Sequence, residues 1–165
     1  MKKMIIAACL SLLALSALAH AKEQPKPASF KPGASVELVV KVNAPKGWAH
    51  NPMMPLKLSF DPEYLKTAPF TVAQNSFEVK FEGHPTSAEV KVPIKLKGSL
   101  NDGELSIPAK LDAFICTVDE SMCIMASEET SLHVRVQGKA GKGEKDQALD
   151  KGSLSLSHVL TPPEV

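Results

Sequence analysis

The sequence has few of the residues and motifs from which most enzyme sites are built. Of its 165 residues, three are cysteine, one is tryptophan and one is tyrosine. No Ser-His-Asp order, paired-carboxylate motif or glycine-rich phosphate loop occurs in it. Because hydrolytic chemistry depends on such constellations, we do not expect a hydrolase.

The chain also lacks an excess of charge of either sign. It holds 19 basic and 18 acidic residues. Without residues 1–21, which include Lys2 and Lys3 and no acidic residue, the count becomes 17 against 18. A balance this even provides no electrostatic footprint for nucleic acid or for an anionic membrane.

Only one long apolar run is present, and it lies at the N-terminus. Lys2 and Lys3 precede uncharged residues 4–19, and Ala19-His20-Ala21 follows with small residues at the positions that a signal peptidase reads. We expect a signal peptide over residues 1–21, cleaved after Ala21, and therefore export to the periplasm, where disulfides persist. No second apolar run follows, so no membrane span is expected after cleavage.

The chain also lacks a long segment with helical periodicity. It contains instead short segments in which apolar and polar residues alternate. Residues 22–34 are rich in proline and charge and predict a leader segment without a core. Short stretches with a period of two then follow, separated by Gly, Pro and Asx turns. They cover residues 36–42, 56–60, 77–81, 90–96, 105–116 and 131–137. This rhythm predicts an all-β domain over residues 35–137, an immunoglobulin-like antiparallel β-sandwich. Residues 138–165 read as a disordered tail, in which 153–157 are a weak candidate for an edge strand.

Two cysteines remain once Cys9 is assigned to the signal peptide: Cys116 and Cys123, with six residues between them. The alternation of residues 105–116 places Cys116 on the face opposite to the apolar one. The spacing is compatible with a disulfide across the mouth of a hairpin. The pair could be a structural staple or a site of thiol–disulfide exchange.

The loop between the cysteines is acidic. Asp119 and Glu120 lie within it, and negative charge near a thiol disfavours its thiolate. An activated nucleophile is therefore not expected. If the pair is redox-active, we expect a disulfide that accepts attack from a partner's thiolate and passes the electrons on.

Four segments in this order resemble a known family. They are Pro45-Lys46-Gly47-Trp48-Ala49-His50-Asn51, Pro55-Leu56-Lys57-Leu58-Ser59-Phe60, residues 111–116, and Cys123 with its following strand. The chain is similar over about residues 35–136 to the N-terminal domain of the thiol:disulfide interchange protein DsbD and to the stand-alone disulfide bond corrector family. It departs from the family in having Ile124-Met125-Ala126 after the second cysteine and six residues rather than five between the cysteines.

The resemblance implies a periplasmic immunoglobulin-like domain without a cofactor. Cys116 and Cys123 would be its catalytic pair, receiving electrons from a membrane thiol–disulfide reductase and passing them to periplasmic thioredoxin-fold proteins. In DsbD an aromatic residue on a loop covers the disulfide. Phe77 and Phe81 are candidates for that position, with core packing as the alternative.

A competing interpretation rests on sulfur and imidazole groups. Thioether, thiolate and imidazole are ligands that select Cu(I). The candidate ligands are His50, Met53, Met54, Met122 and Met125. The protein would then be a non-catalytic exported binding module with a structural disulfide. A simpler account is that the methionines fill gaps and that His50 is an exposed loop residue.

Overall fold

The computed structural model describes residues 28–138 and 148–161. The predicted all-β class is confirmed: nine strands and one short helix make up the regular structure of the described part. Their bounds are β1 Ser29–Asn43, β2 Trp48–His50, β3 Leu56–Ser59, α1 Pro62–Thr67, β4 Phe70–Val72, β5 Ser76–Val79, β6 Ser87–Leu96, β7 Gly103–Thr117, β8 Cys123–Val136 and β9 Leu149–Val159.

The strands form one curled, mixed sheet rather than two separate ones. The main path runs β4-β6-β1-β8-β7-β3-β5, with β2 paired to β7 and β9 paired to β1. The sheet curls far enough for β5 and β3, near one end of the path, to contact β6 near the other. A single apolar core fills the space inside, because the inward positions of the alternating strands all face it. The immunoglobulin-like topology remains a prediction.

β1 changes one of its two neighbouring strands along its length. Ser29 and Phe30 pair in parallel with β8, whereas residues from Ser35 onward pair antiparallel with β6. β9 pairs in parallel with β1 at Phe30 and again from Ser35, with a register shift between the two regions. Gly33 lies between these two regions with φ at +81°. This left-handed backbone suits glycine, which lacks the Cβ that makes it costly for other residues.

The longest ladder is the antiparallel hairpin of β7 and β8, which pairs Gly103 with Val136 at one end and Cys116 with Cys123 at the other. β3 and β2 both pair with the opposite edge of β7. β2 therefore lies beside the end of β7 that carries Cys116.

Several elements differ from those predicted: β8 begins at Cys123 rather than at residue 131, and β2 lies outside the predicted segments. β1 begins at Ser29, inside the predicted leader, because its first residues pair with β8. Between the predicted strands at residues 56–60 and 77–81 lie α1, whose N-cap is Asp61, and β4. The prediction of a disordered tail is wrong for residues 149–159, which form β9 in register with β1. The predicted signal peptide, residues 22–27 of the leader, and tail residues 139–147 and 162–165 lie outside the described residues.

No helix in residues 28–138 or 148–161 is long and apolar enough to cross a membrane.

Candidate functional site at the Cys116–Cys123 disulfide

Cys116 and Cys123 form a disulfide, with an S–S distance of 2.06 Å and a Cα–Cα distance of 4.0 Å. They are the last paired residues of the β7–β8 ladder. The next two facing residues, Thr117 and Met122, are joined by a backbone hydrogen bond, in which Thr117 N–H donates to the Met122 carbonyl at 2.9 Å. The cysteines thus occupy a non-hydrogen-bonded position, where facing Cα atoms come closest.

The two cysteines differ sharply in exposure. Cys116 is only 1% exposed, whereas Cys123 lies on the surface. The alternation of β7 predicts that Cys116 leaves the apolar face, but this does not bring it into solvent. β2 flanks β7 here, with Ala49 paired to Cys116, and the chain after β2 contacts the sulfur. An incoming thiolate therefore has access from the Cys123 side.

The contact with the buried sulfur is made by Asn51. Its Nδ2–H donates to Cys116 Sγ at 3.1 Å. Its Oδ1 accepts from the Met53 backbone N–H at 2.9 Å, and its own N–H donates to the Phe114 carbonyl at 2.8 Å. Because a backbone N–H must face an acceptor, the Met53 contact sets the orientation of the amide and leaves the NH₂ group toward the sulfur.

His84 and Glu120 border this amide on its solvent side. His84 Nε2 lies 3.5 Å from Asn51 Nδ2 and 3.6 Å from Glu120 Oε1. Since an amide NH₂ can only donate, the contact with Asn51 is a hydrogen bond when Nε2 carries no hydrogen, whereas the contact with Glu120 needs a hydrogen on the same nitrogen. His84 is thus part of the surroundings of the disulfide.

The acidic loop between the cysteines is internally hydrogen-bonded. Glu120 N–H donates to the Thr117 carbonyl at 2.8 Å, closing a turn in which Glu120 has φ at +58°. Hydrogen bonds from Thr117 and Ser121 lower the pKa of the Asp119 carboxyl. Asp119 is therefore ionised at neutral pH, which keeps negative charge on this loop, as the sequence predicts.

His50 is fully buried on β2, contrary to its interpretation as an exposed loop residue. Its Nε2–H donates to the Val42 carbonyl at 3.2 Å, and its buried Nδ1 has no partner among the described residues. Burial lowers the pKa of this imidazole below 6.5, against a smaller opposing effect of the Val42 carbonyl.

The remaining candidate copper ligands lie in a different setting from His50. Met53, Met54, Met122 and Met125 are all exposed. Within the described part of the chain, no three His, Cys, Asp or Glu side chains are grouped so that they could hold a metal ion. The imidazole and the thioethers are therefore not joined in one evident ligand set.

Phe77 and Phe81 have separate roles. Phe77 is buried in the core with its ring centroid 6.3 Å from that of Phe60. Phe81 is half-buried and lies against His50, with ring centroids 5.5 Å apart. Core packing therefore describes Phe77, whereas Phe81 contacts the strand beside the disulfide.

Sequence reasoning gave no role to Asn51 or His84. Asn51 lies in one of the segments that carry the resemblance, but it is 65 residues from Cys116 along the chain. Only the pairing of β2 with β7 brings the two together. The only sign of its role is that Asn51 is a polar residue directly after β2, the strand that pairs with the Cys116 end of β7.

The fold and the site define an all-β domain with a disulfide at a hairpin mouth, in which Cys116 is buried and Cys123 is exposed. The chain matches no family model and no curated protein.

Proposed function

We propose that this protein is a periplasmic thiol–disulfide exchange domain that relays electrons through Cys116 and Cys123 from a membrane reductase to thioredoxin-fold partners. The observation that carries the proposal is the asymmetry of the disulfide, with Cys123 exposed and Cys116 buried. A structural staple needs neither an accessible sulfur nor a polar partner for the buried one.

The reaction proceeds in two displacements. A thiolate of the donor dithiol attacks Cys123 Sγ, and the S–S electron pair leaves with Cys116 Sγ, which takes up a proton. The donor's second thiolate then attacks the donor sulfur of the mixed disulfide, which closes the donor's own disulfide and releases Cys123 as a thiolate that takes up the second proton. Two electrons and two protons pass to the domain, and the reverse sequence delivers them to an oxidised acceptor.

The resemblance to the DsbD N-terminal domain and the predicted export support the choice of partners and compartment. The alternative, a Cu(I)-binding module, draws on His50 as well as the methionines. The engaged Nε2 of His50 and its complete burial give that alternative no added support.

The decisive test combines a measurement of the reduction potential of the cysteine pair with the trapping of a mixed disulfide. The reduction potential of the pair should lie above about −300 mV, because structural disulfides lie below it. Cys116→Ser, which leaves the exposed Cys123, should form a mixed disulfide with a thioredoxin-fold protein that has lost its resolving cysteine and whose remaining cysteine is held as a mixed disulfide with thionitrobenzoate, because the Cys123 thiolate then displaces thionitrobenzoate. The matched Cys123→Ser variant, which leaves the buried Cys116, should form much less. A potential below about −300 mV, or equal absence of mixed disulfide from both variants, would refute the relay.

A further inference from the structure

The side chain that touches the buried sulfur has a defined chemical character. Asn51 Nδ2 is 3.1 Å from Cys116 Sγ, and the Met53 N–H on Oδ1 holds the amide in the orientation that presents a donor. Asn51 is itself 7% exposed, so water does not readily replace that donor. A fixed donor at a buried sulfur is suited to stabilising negative charge there.

Such charge develops on Cys116 when the disulfide is attacked. Attack on the exposed Cys123 expels Cys116 as a thiolate into a site that solvent barely reaches, and an unpaired buried charge is costly. A hydrogen bond from Asn51 lowers that cost in the transition state and in the product. Attack on Cys116 would expel Cys123 instead, with no comparable benefit from this amide.

We propose that Asn51 is a catalytic residue of the exchange reaction, donating a hydrogen bond that makes Cys116 the leaving sulfur and directs attack to Cys123. This inference rests on the proposed function for its biological setting. Its chemistry requires only a thiol reductant.

His84 is assigned a positioning role through Asn51. The amide carries two hydrogens, and one faces Cys116 while His84 Nε2 lies 3.5 Å from the same nitrogen. The charged and titratable groups beside this network are His84 and Glu120, whose Oε1 lies 3.6 Å from Nε2. A ring that accepts from Asn51 keeps the amide turned toward the sulfur.

The test uses dithiothreitol, which supplies both thiols of the two displacements and leaves as a cyclic disulfide. Asn51→Asp retains an acceptor for the Met53 N–H and replaces the donor, whereas Asn51→Ala removes the donor without adding charge. Both should slow reduction of the disulfide about tenfold or more, the range expected for a lost hydrogen bond to a charged group. Asn75→Asp, an exposed position with the same change of charge, should reduce at the unaltered rate.

A second measurement separates this role from a structural one. In the Cys123→Ser background, the ultraviolet absorbance of the Cys116 thiolate reports its formation as a function of pH without requiring a reagent to reach the buried sulfur. Adding Asn51→Ala should move the midpoint of that profile to higher pH, and adding His84→Phe should move it in the same direction by less. Thermal melting identifies any variant that fails to fold. If Asn51→Ala fails to fold, Asn51→Asp still tests the role of the donor.

Unchanged reduction rates in the folded Asn51 variants would overturn the assignment. Slower reduction without a shift of the midpoint of thiolate formation would also overturn it, because the effect would then lie in access to Cys123. Failure of the relay is a separate result. Mixed disulfides with thioredoxin-fold proteins would be absent while the Asn51 variants still altered reduction by dithiothreitol.

Discussion

His50 Nε2 and the Val42 carbonyl oxygen lie 3.2 Å apart inside the core, and the other ring nitrogen, Nδ1, is buried without a partner among the described residues. The Nε2–H donates in this contact, so the neutral ring is satisfied at one nitrogen. Protonation of Nδ1 would create a buried charge and a donor without an acceptor. The imidazole is therefore held neutral.

This relationship predicts a pH-dependent stability. Burial lowers the pKa of folded His50 below 6.5, so below pH 6.5 the unfolded chain binds a proton that the folded protein does not. The His50 contribution is complete above that pH. It decreases as the pH falls toward the folded pKa, by at most about 1.4 kcal/mol per pH unit. Urea denaturation at pH 7.5 and at several lower values measures it.

His50→Gln should flatten this dependence relative to the unaltered protein, because it removes the buried imidazole. Equal slopes for the His50 variant and the unaltered protein would contradict the assignment of the effect to His50.

Removing the disulfide should lower the free energy of unfolding by about 2.5 kcal/mol, the chain-entropy value for an eight-residue loop. The bridge joins residues seven apart in sequence, so it restricts the unfolded chain only modestly. The oxidised protein and the Cys116→Ala/Cys123→Ala variant are compared by urea denaturation. Loss of folding in the variant would indicate a staple on which the domain depends, contrary to a bridge that opens during turnover.

The tail strand should contribute measurably to stability. Leu154 and Leu156 of β9 are half-buried against the core, while Ser155 between them is exposed. Leu156→Ala should cost about 1 to 2 kcal/mol, less than full burial would give. Ser155→Ala should stay within about 0.5 kcal/mol. A Leu156→Ala variant as stable as Ser155→Ala would contradict the packing of β9 on the domain.

The partner change of β1 predicts an effect of Gly33. Its φ of +81° is unfavourable for alanine, although an added Cβ would have space, with Gly98 Cα at 3.9 Å. Gly33→Ala should therefore lower stability by about 1 kcal/mol through the backbone alone. Gly98→Ala, in open space and without a positive φ, is the matched control. A Gly33→Ala protein as stable as the control would show that this turn tolerates another conformation.

Much of the fold was predictable because β alternation is a local property. The strands at residues 36–42, 56–60 and 90–96 all appear close to their predicted positions. β9 was missed because its serine-rich sequence has little apolar surface of its own. It forms along the free edge of β1, which no local pattern reveals.

Of the candidate site, only the disulfide between Cys116 and Cys123 was predictable from the sequence. Cys116 and Cys123 are joined by a short hairpin, so their pairing follows from nearby sequence. The burial of His50 and the approach of His84 depend on how β2 and the segment before β6 lie against β7 and β1. These contacts span tens of residues and have no periodic signal.

The sequence by itself determined the all-β class and the two cysteines at the mouth of a hairpin, because backbone alternation and short loops act over a few residues. Tertiary structure alone decided that Cys116 is buried and Cys123 exposed, and that Asn51 faces the buried sulfur. The physical reason is that burial and hydrogen-bond partners follow from the curl of the sheet, which brings β2 beside the end of β7 and places an amide from 65 residues away at the disulfide.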